Sequence, residues 1–205
     1  MQIAIIGAGN VGKALGGGWA GSGHKVRYGV RNPGDAKYRG LATATVAEAA
    51  REAECIVIAT PWNATEAAIR SAGPLAGKLV LDATNPLTMG PGGLTLALGF
   101  STSAGEMVAQ WAAGATVFKT LNTTGFGNMA KSGGYPLRPV MFYAGDDAAR
   151  RGTVAALLTD LGFEPVDAGP LVNARLLEPY GMLWIDLAAK RGQGRDIAFA
   201  LMHRG

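Results

Sequence analysis

The stretch that decides the fold is IAIIGAGNVG, residues 3–12, in which a short apolar run passes into the pattern G-x-G-x-x-G. Gly7 would allow a sharp turn out of a strand, Gly9 would let the backbone approach a pyrophosphate, and Gly12 would let a helix pack closely on the sheet. A helix starting at Asn10 would point its free N–H groups at the phosphates. The spacing alone is weak evidence in a chain with 31 glycines, but its place between a strand and a helix indicates a dinucleotide site.

Four short apolar runs in the first 120 residues are typical of strands buried on both faces of a parallel sheet. They cover residues 3–7, 25–30, 55–60 and 78–84. Segments with helical spacing lie between the runs, and further strands are predicted at 116–121, 140–146 and 163–169. This alternation predicts an α/β fold with a doubly wound, mostly parallel Rossmann sheet and right-handed crossovers.

The part of the chain after residue 121 is less regular. Residues 122–139 are predicted to form a long glycine-containing loop, a kind of segment that is usually functional or mobile. The tail at 195–204 alternates apolar with small or polar residues, which favours an edge strand. The glycines near residue 133 set a boundary between a Rossmann domain at 1–135 and a small C-terminal α+β portion at 136–205.

Composition and charge restrict the possible partners. The chain has 205 residues, 48% of them hydrophobic, which is enough for one sizeable core. A net charge of +4 spread along the chain permits an anionic ligand and gives no sign of a nucleic-acid surface. No apolar run reaches the roughly 20 residues needed to span a bilayer. The chain starts directly with a strand-like segment rather than a signal peptide, so we expect a cytoplasmic protein without a membrane partner.

The second strand ends without an acidic side chain. In dinucleotide-binding folds a carboxylate at that place binds the ribose hydroxyls of NAD and would repel a 2′-phosphate. Arg31 stands near that place, and it would pair with a 2′-phosphate through two parallel hydrogen bonds, with Asn32 as a further donor. The cofactor predicted from these residues is NADP(H) rather than NAD(H). The alternative is that Arg31 is only a solvated turn residue.

Ligands of open α/β sheets bind beyond the carboxyl ends of the strands. Small polar and turn-forming residues at three such ends are predicted to frame the nicotinamide ribose and carboxamide. They are Thr60, Pro61, Trp62, Asn85, Pro86, Asn122, Thr123 and Thr124. The alternative is that they are ordinary turn and capping residues. Trp62 or Phe126 could also cover a flat acceptor, unless each serves only in packing.

No side chain stands out as a certain catalytic acid or base. Two isolated histidines and a single cysteine cannot build a zinc site, and we expect Cys55 to be a buried, inert thiol. Hydride transfer between two bound rings depends on proximity and orientation more than on a protein acid or base. The residues therefore favour hydride transfer over the reduction of a carbonyl, which needs a nearby proton donor.

Several longer motifs together resemble the NADPH-dependent deazaflavin (coenzyme F-420) reductase family. They are IIGAGNVGKALGGGWAGSGHKVRYGVRNP from residue 5, ATPW from 59, DATNPL from 82, NTTGFGNM from 122, MFYAGDD from 141 and DAGPLVNARLLEP from 167. The resemblance implies a Rossmann fold, a homodimer, and hydride transfer between NADPH and a flavin-like ring. It also implies that residues 1–135 form the NADP-binding domain and that residues 136–205 complete the acceptor site and the dimer contact. It assigns Gly7, Gly9, Asn10 and Val11 to the phosphate loop and Arg31 to the 2′-phosphate.

Two features depart from that family. Val30 stands where a serine commonly precedes the arginine, and the loop after the strand at 116–121 lacks the family's histidine. The acceptor is therefore left open as a deazaflavin (coenzyme F-420), a flavin or another small molecule. Two alternative functions also remain: an imine or carbonyl reductase of the β-hydroxyacid or pyrroline reductase type, and a non-catalytic NADP(H)-binding regulatory protein.

Overall fold

The computed structural model describes residues 1–204. Its strands are β1 (Gln2–Ile6), β2 (Lys25–Gly29), β3 (Thr43–Ala44), β4 (Cys55–Ile58), β5 (Leu79–Asp82), β6 (Leu87–Gly90), β7 (Gly93–Leu96), β8 (Thr116–Thr120), β9 (Val140–Gly145) and β10 (Glu164–Asp167). Its helices are α1 (Asn10–Gly21), α2 (Val46–Glu52), α3 (Trp62–Ser71), α4 (Ala104–Trp111), α5 (Phe126–Ala130), α6 (Arg151–Asp160) and α7 (Ala174–Ala189).

Eight of these strands form one sheet in the order β10-β9-β8-β5-β4-β1-β2-β3. Neighbouring strands are parallel except for β8 and β9, which are antiparallel. The chain builds outward from β1 on one side, then returns and builds outward from β4 on the other. The predicted doubly wound, mostly parallel fold is therefore confirmed, and its crevice lies where the two halves diverge.

The central strands alternate their side chains between two cores. In β1, Ile3 and Ile5 pack into one core, while Ala4 and Ile6 pack into the other. Both faces of this strand are covered by helices, so the sequence is a continuous apolar run rather than an alternating one. Cys55 is fully buried in β4, and burial raises the pKa of its thiol to about 12, which agrees with the expected inert role.

Close packing explains the glycine triplet inside α1. A Cβ on Gly16 would collide with the hydroxyl of Tyr28, and one on Gly18 would lie 2.6 Å from a methyl group of Leu161. Gly17, between them, faces open space. Two of the three glycines therefore let the sheet and the residue after α6 approach the first helix.

The C-terminal tail is not the predicted edge strand. Within residues 195–204, only Phe199 makes a backbone hydrogen bond to the sheet, accepting from the N–H of Val140 at 2.9 Å. The carbonyl of Ile197 accepts instead from two side chains, the indole of Trp184 and the amide of Asn128. The alternating pattern was misleading because one carbonyl of this segment bonds to β9, while another accepts from side chains instead of from a strand.

Two further elements were not predicted. The strands β6 and β7 form a separate hairpin with a turn through Pro91 and Gly92, and α5 interrupts the long loop at 122–139. The GPGG turn between two short apolar runs was the signal for the hairpin. Strands β9 and β10, from beyond residue 135, join the same sheet as β1, so the domain boundary placed there stays a prediction.

Candidate functional site

A cleft of about 570 Å³ opens at the carboxyl ends of β1, β2 and β4. This is the crevice where an open α/β sheet binds its ligands. The predicted residues that line it are Gly7, Gly9, Arg31, Thr60 and Pro61. The structure thus brings together residues from three separate parts of the sequence at one edge of the sheet.

The glycine loop has the geometry that a pyrophosphate needs. Gly7 has φ +109, and a Cβ there would lie 2.6 Å from the carbonyl oxygen of Ala59. A Cβ on Gly12 would collide with the carbonyl of Gly7. Gly9 has no atom within 4 Å of its Cβ position, and no side chain caps the N-terminus of α1. The first N–H groups of α1 therefore face an open space that fits the pyrophosphate of NADP(H).

The end of the cleft beside β2 is positively charged. Arg31 is exposed there and has no salt-bridge partner within residues 1–204. Lys37 and Tyr38, which the sequence analysis missed, line the same region on a short 3₁₀ turn. Asp35 caps that turn, and its carboxylate lies 2.7 Å from the Lys37 ammonium. Two cations and one aromatic ring beside an open space fit a phosphorylated adenosine.

Three residues assigned to the cofactor have other surroundings. Asn10 is exposed at the start of α1, and Val11 packs partly against the core. The carbonyl of Asn32 closes a turn by accepting from the N–H of Asp35 at 3.1 Å. Their contacts with a cofactor stay predictions.

At the end of β4, Thr60 and Trp62 point in different directions. The hydroxyl of Thr60, which lines the cleft, is 2.9 Å from that of Thr65 in the first turn of α3. Trp62 packs against Trp111 of α4, with ring centroids 5.3 Å apart. This contact agrees with the packing alternative for Trp62, and any role over a flat acceptor stays a prediction.

Two predicted amides meet at the neighbouring strand ends. The side-chain amide of Asn85 donates to the carbonyl of Asn122 at 2.8 Å. The amide of Asn122 donates to Asn85 Oδ1 and to the carbonyl of Leu177, both at 3.0 Å. These two acceptors fix which end of the Asn122 amide faces them. Its Oδ1 is left buried without a hydrogen-bond partner within residues 1–204, the kind of atom that indicates a missing ligand or water.

The other predicted residues near this pair have hydrogen-bond partners outside it. The hydroxyl of Thr123 donates to the sulfur of Met141 at 3.6 Å, and that of Thr124 accepts from Asn128 at 2.8 Å. Pro86 is buried and its carbonyl accepts from the N–H of Ala97 in the hairpin connection. Among the residues predicted at these two ends, only Asn85 and Asn122 contact each other directly.

A buried cluster of three charged side chains lies behind the amides. Lys119 Nζ is 2.9 Å from Asp82 Oδ2 and 3.0 Å from Glu178 Oε1, and no side chain of the three is more than 2% exposed. Burial on its own would lower the pKa of Lys119, but the two carboxylates outweigh it and raise that pKa above its ordinary value. The sequence analysis missed this cluster, although a lysine inside the apolar run TVFKTL was a signal.

Aromatic rings from β9, α7 and the tail pack against one another. Phe142, Tyr180 and Phe199 form a chain of contacts, with centroids 5.6 and 4.5 Å apart. Trp184 presses on the backbone of Gly125, where a Cβ would collide with the indole. The tail and α7 together therefore cover the segment that follows β8.

With the geometry described, comparisons with known proteins identify the family. A family model for NADP oxidoreductase, coenzyme F420-dependent, matches residues 2–86. A crystal structure from Arthrobacter sp. FB24, provisionally assigned as an F420-dependent NADP reductase, is 33% identical, with 99% of this chain and 100% of that chain covered and a TM-score of 0.90. This chain belongs to the coenzyme F420-dependent NADP oxidoreductase family. The resemblance inferred from the sequence motifs is therefore confirmed.

Two relatives of lower identity add context. Metalloreductase STEAP3 from Rattus norvegicus is 27% identical over 180 residues, which are 86% of this chain and 36% of the relative, so this chain spans about a third of its length. An imine reductase from Aspergillus terreus, solved in complex with NADPH4, is 19% identical, with a TM-score of 0.67 and coverage of 90% of this chain and 60% of that one. The imine reductase shares the fold.

Family membership makes this protein an NADP-dependent oxidoreductase. NADP(H) as its cofactor agrees with the open glycine loop and the cationic end of the cleft. These comparisons give no support to the regulatory, non-catalytic alternative. No helix within residues 1–204 is both long enough and apolar enough to cross a bilayer.

Proposed function

We propose that this protein transfers a hydride between NADP(H) and a flavin-like acceptor, a deazaflavin in the first place. The observation that carries the cofactor part is the space beside Gly9, where nothing lies within 4 Å, together with Arg31 at the far end of the same cleft. A pyrophosphate fits at the first point and a 2′-phosphate at the second.

The choice of a flavin-like acceptor is supported by the fraction of each related protein that this chain covers. This chain covers the whole of the Arthrobacter protein but only 60% of the Aspergillus imine reductase. An imine or carbonyl reductase also needs a proton donor within reach of the substrate. Lys119 lies near the end of β8, yet it is fully buried and bonds two carboxylates and the carbonyl of Thr84. It is therefore not available as a donor.

The chain's own residues supply binding and orientation. When bound, NADPH supplies a hydride from its dihydronicotinamide ring to an acceptor that also takes up a proton from water. The glycine loop and the N-terminus of α1 hold the pyrophosphate, and Arg31 selects the 2′-phosphate. Asn85 and Asn122 orient the carboxamide of the ring. Such an arrangement accelerates the reaction by placing the two reacting atoms in line, without an acid or a base from the protein.

An acceptor screen tests this proposal. We expect the purified protein to oxidise NADPH in the presence of coenzyme F-420 or a flavin, followed by stopped-flow absorbance, and to oxidise NADH much more slowly. Turnover with cyclic imines or ketones but not with flavins would instead assign the reductase alternative. Binding of NADPH without turnover on any of these acceptors would contradict the proposed reaction.

The homodimer and the cytoplasmic location remain proposals. Leu176 and Leu183 are 67% and 49% exposed, two turns apart on one face of α7, and such a stripe supports contact with a second copy. We expect light scattering on the purified protein to give twice the chain mass. A monomer at micromolar concentration would refute the dimer and leave the proposed reaction intact.

A further inference from the structure

Stability alone is a weak explanation for the buried charges of Asp82, Lys119 and Glu178. Replacing a buried ion cluster by apolar side chains of similar volume is often neutral or stabilising, because the desolvation of each charge is costly. Here the cluster holds two carboxylates and one ammonium, all in the interior. The contacts of the cluster with the surrounding backbone indicate a role other than stability.

Backbone groups at two further places complete the cluster. Glu178 accepts from the N–H groups of Ala104 and Gly105 at the start of α4, both at 3.0 Å. Asp82 Oδ1 accepts from the N–H and the hydroxyl of Thr84. These donors offset the extra negative charge, so the cluster is fully bonded. It ties the end of β5, the middle of β8, the start of α4 and the body of α7 to one another.

Each charged side chain is close in the chain to one part of the amide pair. Asn85 follows Asp82 by three residues, and Asn122 follows Lys119 by three. Glu178 follows Leu177, whose carbonyl accepts from the Asn122 amide. The three charged residues, joined through Lys119, therefore lie within three residues along the chain of the groups that form the amide pair.

Helix α7 also packs closely against the two amides. A Cβ on Gly181 would lie 2.6 Å from the carbonyl oxygen of Asn122 and 3.0 Å from Asn85 Oδ1. Since Gly181 is one turn beyond Glu178, a small shift of α7 at the cluster changes this contact and the bond to Leu177 together. The unpartnered Oδ1 of Asn122 then loses its fixed direction.

We propose that Asp82, Lys119 and Glu178 are positioning residues, which hold α7 against the ends of β5 and β8 so that Asn85 and Asn122 are pre-oriented for the nicotinamide carboxamide. The cluster acts through the amides and does not touch the cofactor. This inference rests on the proposed placement of the nicotinamide ring beside the two asparagines.

Two ligands that differ by the nicotinamide half test the inference by calorimetry. NADP⁺ contains that half, whereas 2′,5′-ADP ends before it, and both share the 2′-phosphate. In Glu178→Gln, one N–H of the new amide must face either the Lys119 ammonium or the N–H groups of α4, so α7 shifts. We expect NADP⁺ to bind about tenfold more weakly, as for one lost hydrogen bond, and 2′,5′-ADP to bind within about twofold of wild type.

A second variant and a control distinguish positioning of the two amides from a general attachment of α7 to α4. Gly181→Ala leaves the charges intact but presses on the same amides, and we expect the same selective loss for NADP⁺. Arg175→Met removes the ion pair of Arg175 with Glu106, which also joins α7 to α4 but lies nearer the surface. We expect both ligands to bind this control as they bind wild type. Unchanged 2′,5′-ADP affinity also shows that each variant is folded.

The outcomes distinguish the two proposals. If wild type binds NADP⁺ no more tightly than 2′,5′-ADP, the placement of the nicotinamide beside the asparagines is wrong, and the inference fails with it. If wild type does prefer NADP⁺ and Glu178→Gln and Gly181→Ala keep that preference, only the inference is overturned. An equal effect of Arg175→Met would likewise overturn it, because any contact that holds α7 against α4 would then affect NADP⁺ binding in the same way.

Discussion

The two ends of the proposed cofactor site are built in opposite ways. At the ends of β1 and β2, the cleft is open, Gly9 faces empty space and the cations Arg31 and Lys37 are exposed. At the ends of β5 and β8, Asn122 is 3% exposed, and its amide is held by Asn85 and Leu177. One end offers space and charge, and the other offers fixed polar groups.

This difference follows from what each half of the cofactor requires. Phosphate groups need only to be bound, and exposed cations and backbone N–H groups supply charge-assisted hydrogen bonds for that. The reacting ring must lie within a fraction of an ångström of its productive position, since misplacement lowers the rate steeply. We infer that buried hydrogen bonds are found at the end of the site where orientation matters, whereas the charged end is exposed.

The largest expected effect comes from filling the open space. Gly9→Val should lower the affinity for NADPH and NADH alike beyond detection, because the branched side chain takes the place of the pyrophosphate. The fold should persist, since no atom lies within 4 Å of the new Cβ. Calorimetry measures the affinity and circular dichroism the fold. Gly17→Ala, which also faces open space but on the helix surface, is the matched control and should bind as wild type.

Removing the exposed cation should affect one cofactor only. Arg31→Ala should weaken NADPH by about 1.5–3 kcal/mol, the value of a charged hydrogen bond, and leave NADH nearly unchanged. The nearby exposed Arg39, which does not line the cleft, provides the control Arg39→Ala. Equal losses for the two cofactors would mean that Arg31 is a solvated turn residue.

Deleting residues 196–205 should test the buried end without touching the open one. The deletion removes the hydrogen bonds of the Ile197 carbonyl and the contact of Phe199 with Tyr180. We expect the free energy of unfolding to fall by about 2–4 kcal/mol, measured by urea denaturation. Binding of 2′,5′-ADP should stay at the wild-type value. Met202→Ala, in the exposed part of the same tail, should change neither quantity.

The smallest expected effect concerns the second cation. Lys37→Met should weaken NADPH by only about threefold at low salt, because the side chain is exposed and already paired with Asp35. Asp35→Asn should free the ammonium and tighten NADPH slightly. A salt titration of both variants checks this, since the difference should vanish at high ionic strength. A large loss in Lys37→Met would mean that Lys37, rather than Arg31, holds the phosphate.

Local patterns were sufficient for the open end. The turn at Gly7, the start of α1 and the arginine after β2 lie within about 30 consecutive residues, and each has a meaning that depends on its neighbours in the chain. The alternation of apolar runs and helical segments likewise predicted the sheet. The tail failed as a prediction because an alternating pattern does not say which group will satisfy the backbone.

The buried end could not be derived in the same way. A lysine inside an apolar strand is unfavourable until its partners are known, and Asp82 and Glu178 lie 37 and 59 residues away from Lys119 in the chain. The sequence by itself determined the doubly wound sheet, the phosphate loop and the candidate strand ends, because these depend on short-range periodicity and turn chemistry. Only the tertiary structure decided which of those strand ends hold interlocked amides, because burial and charge pairing arise when distant segments meet.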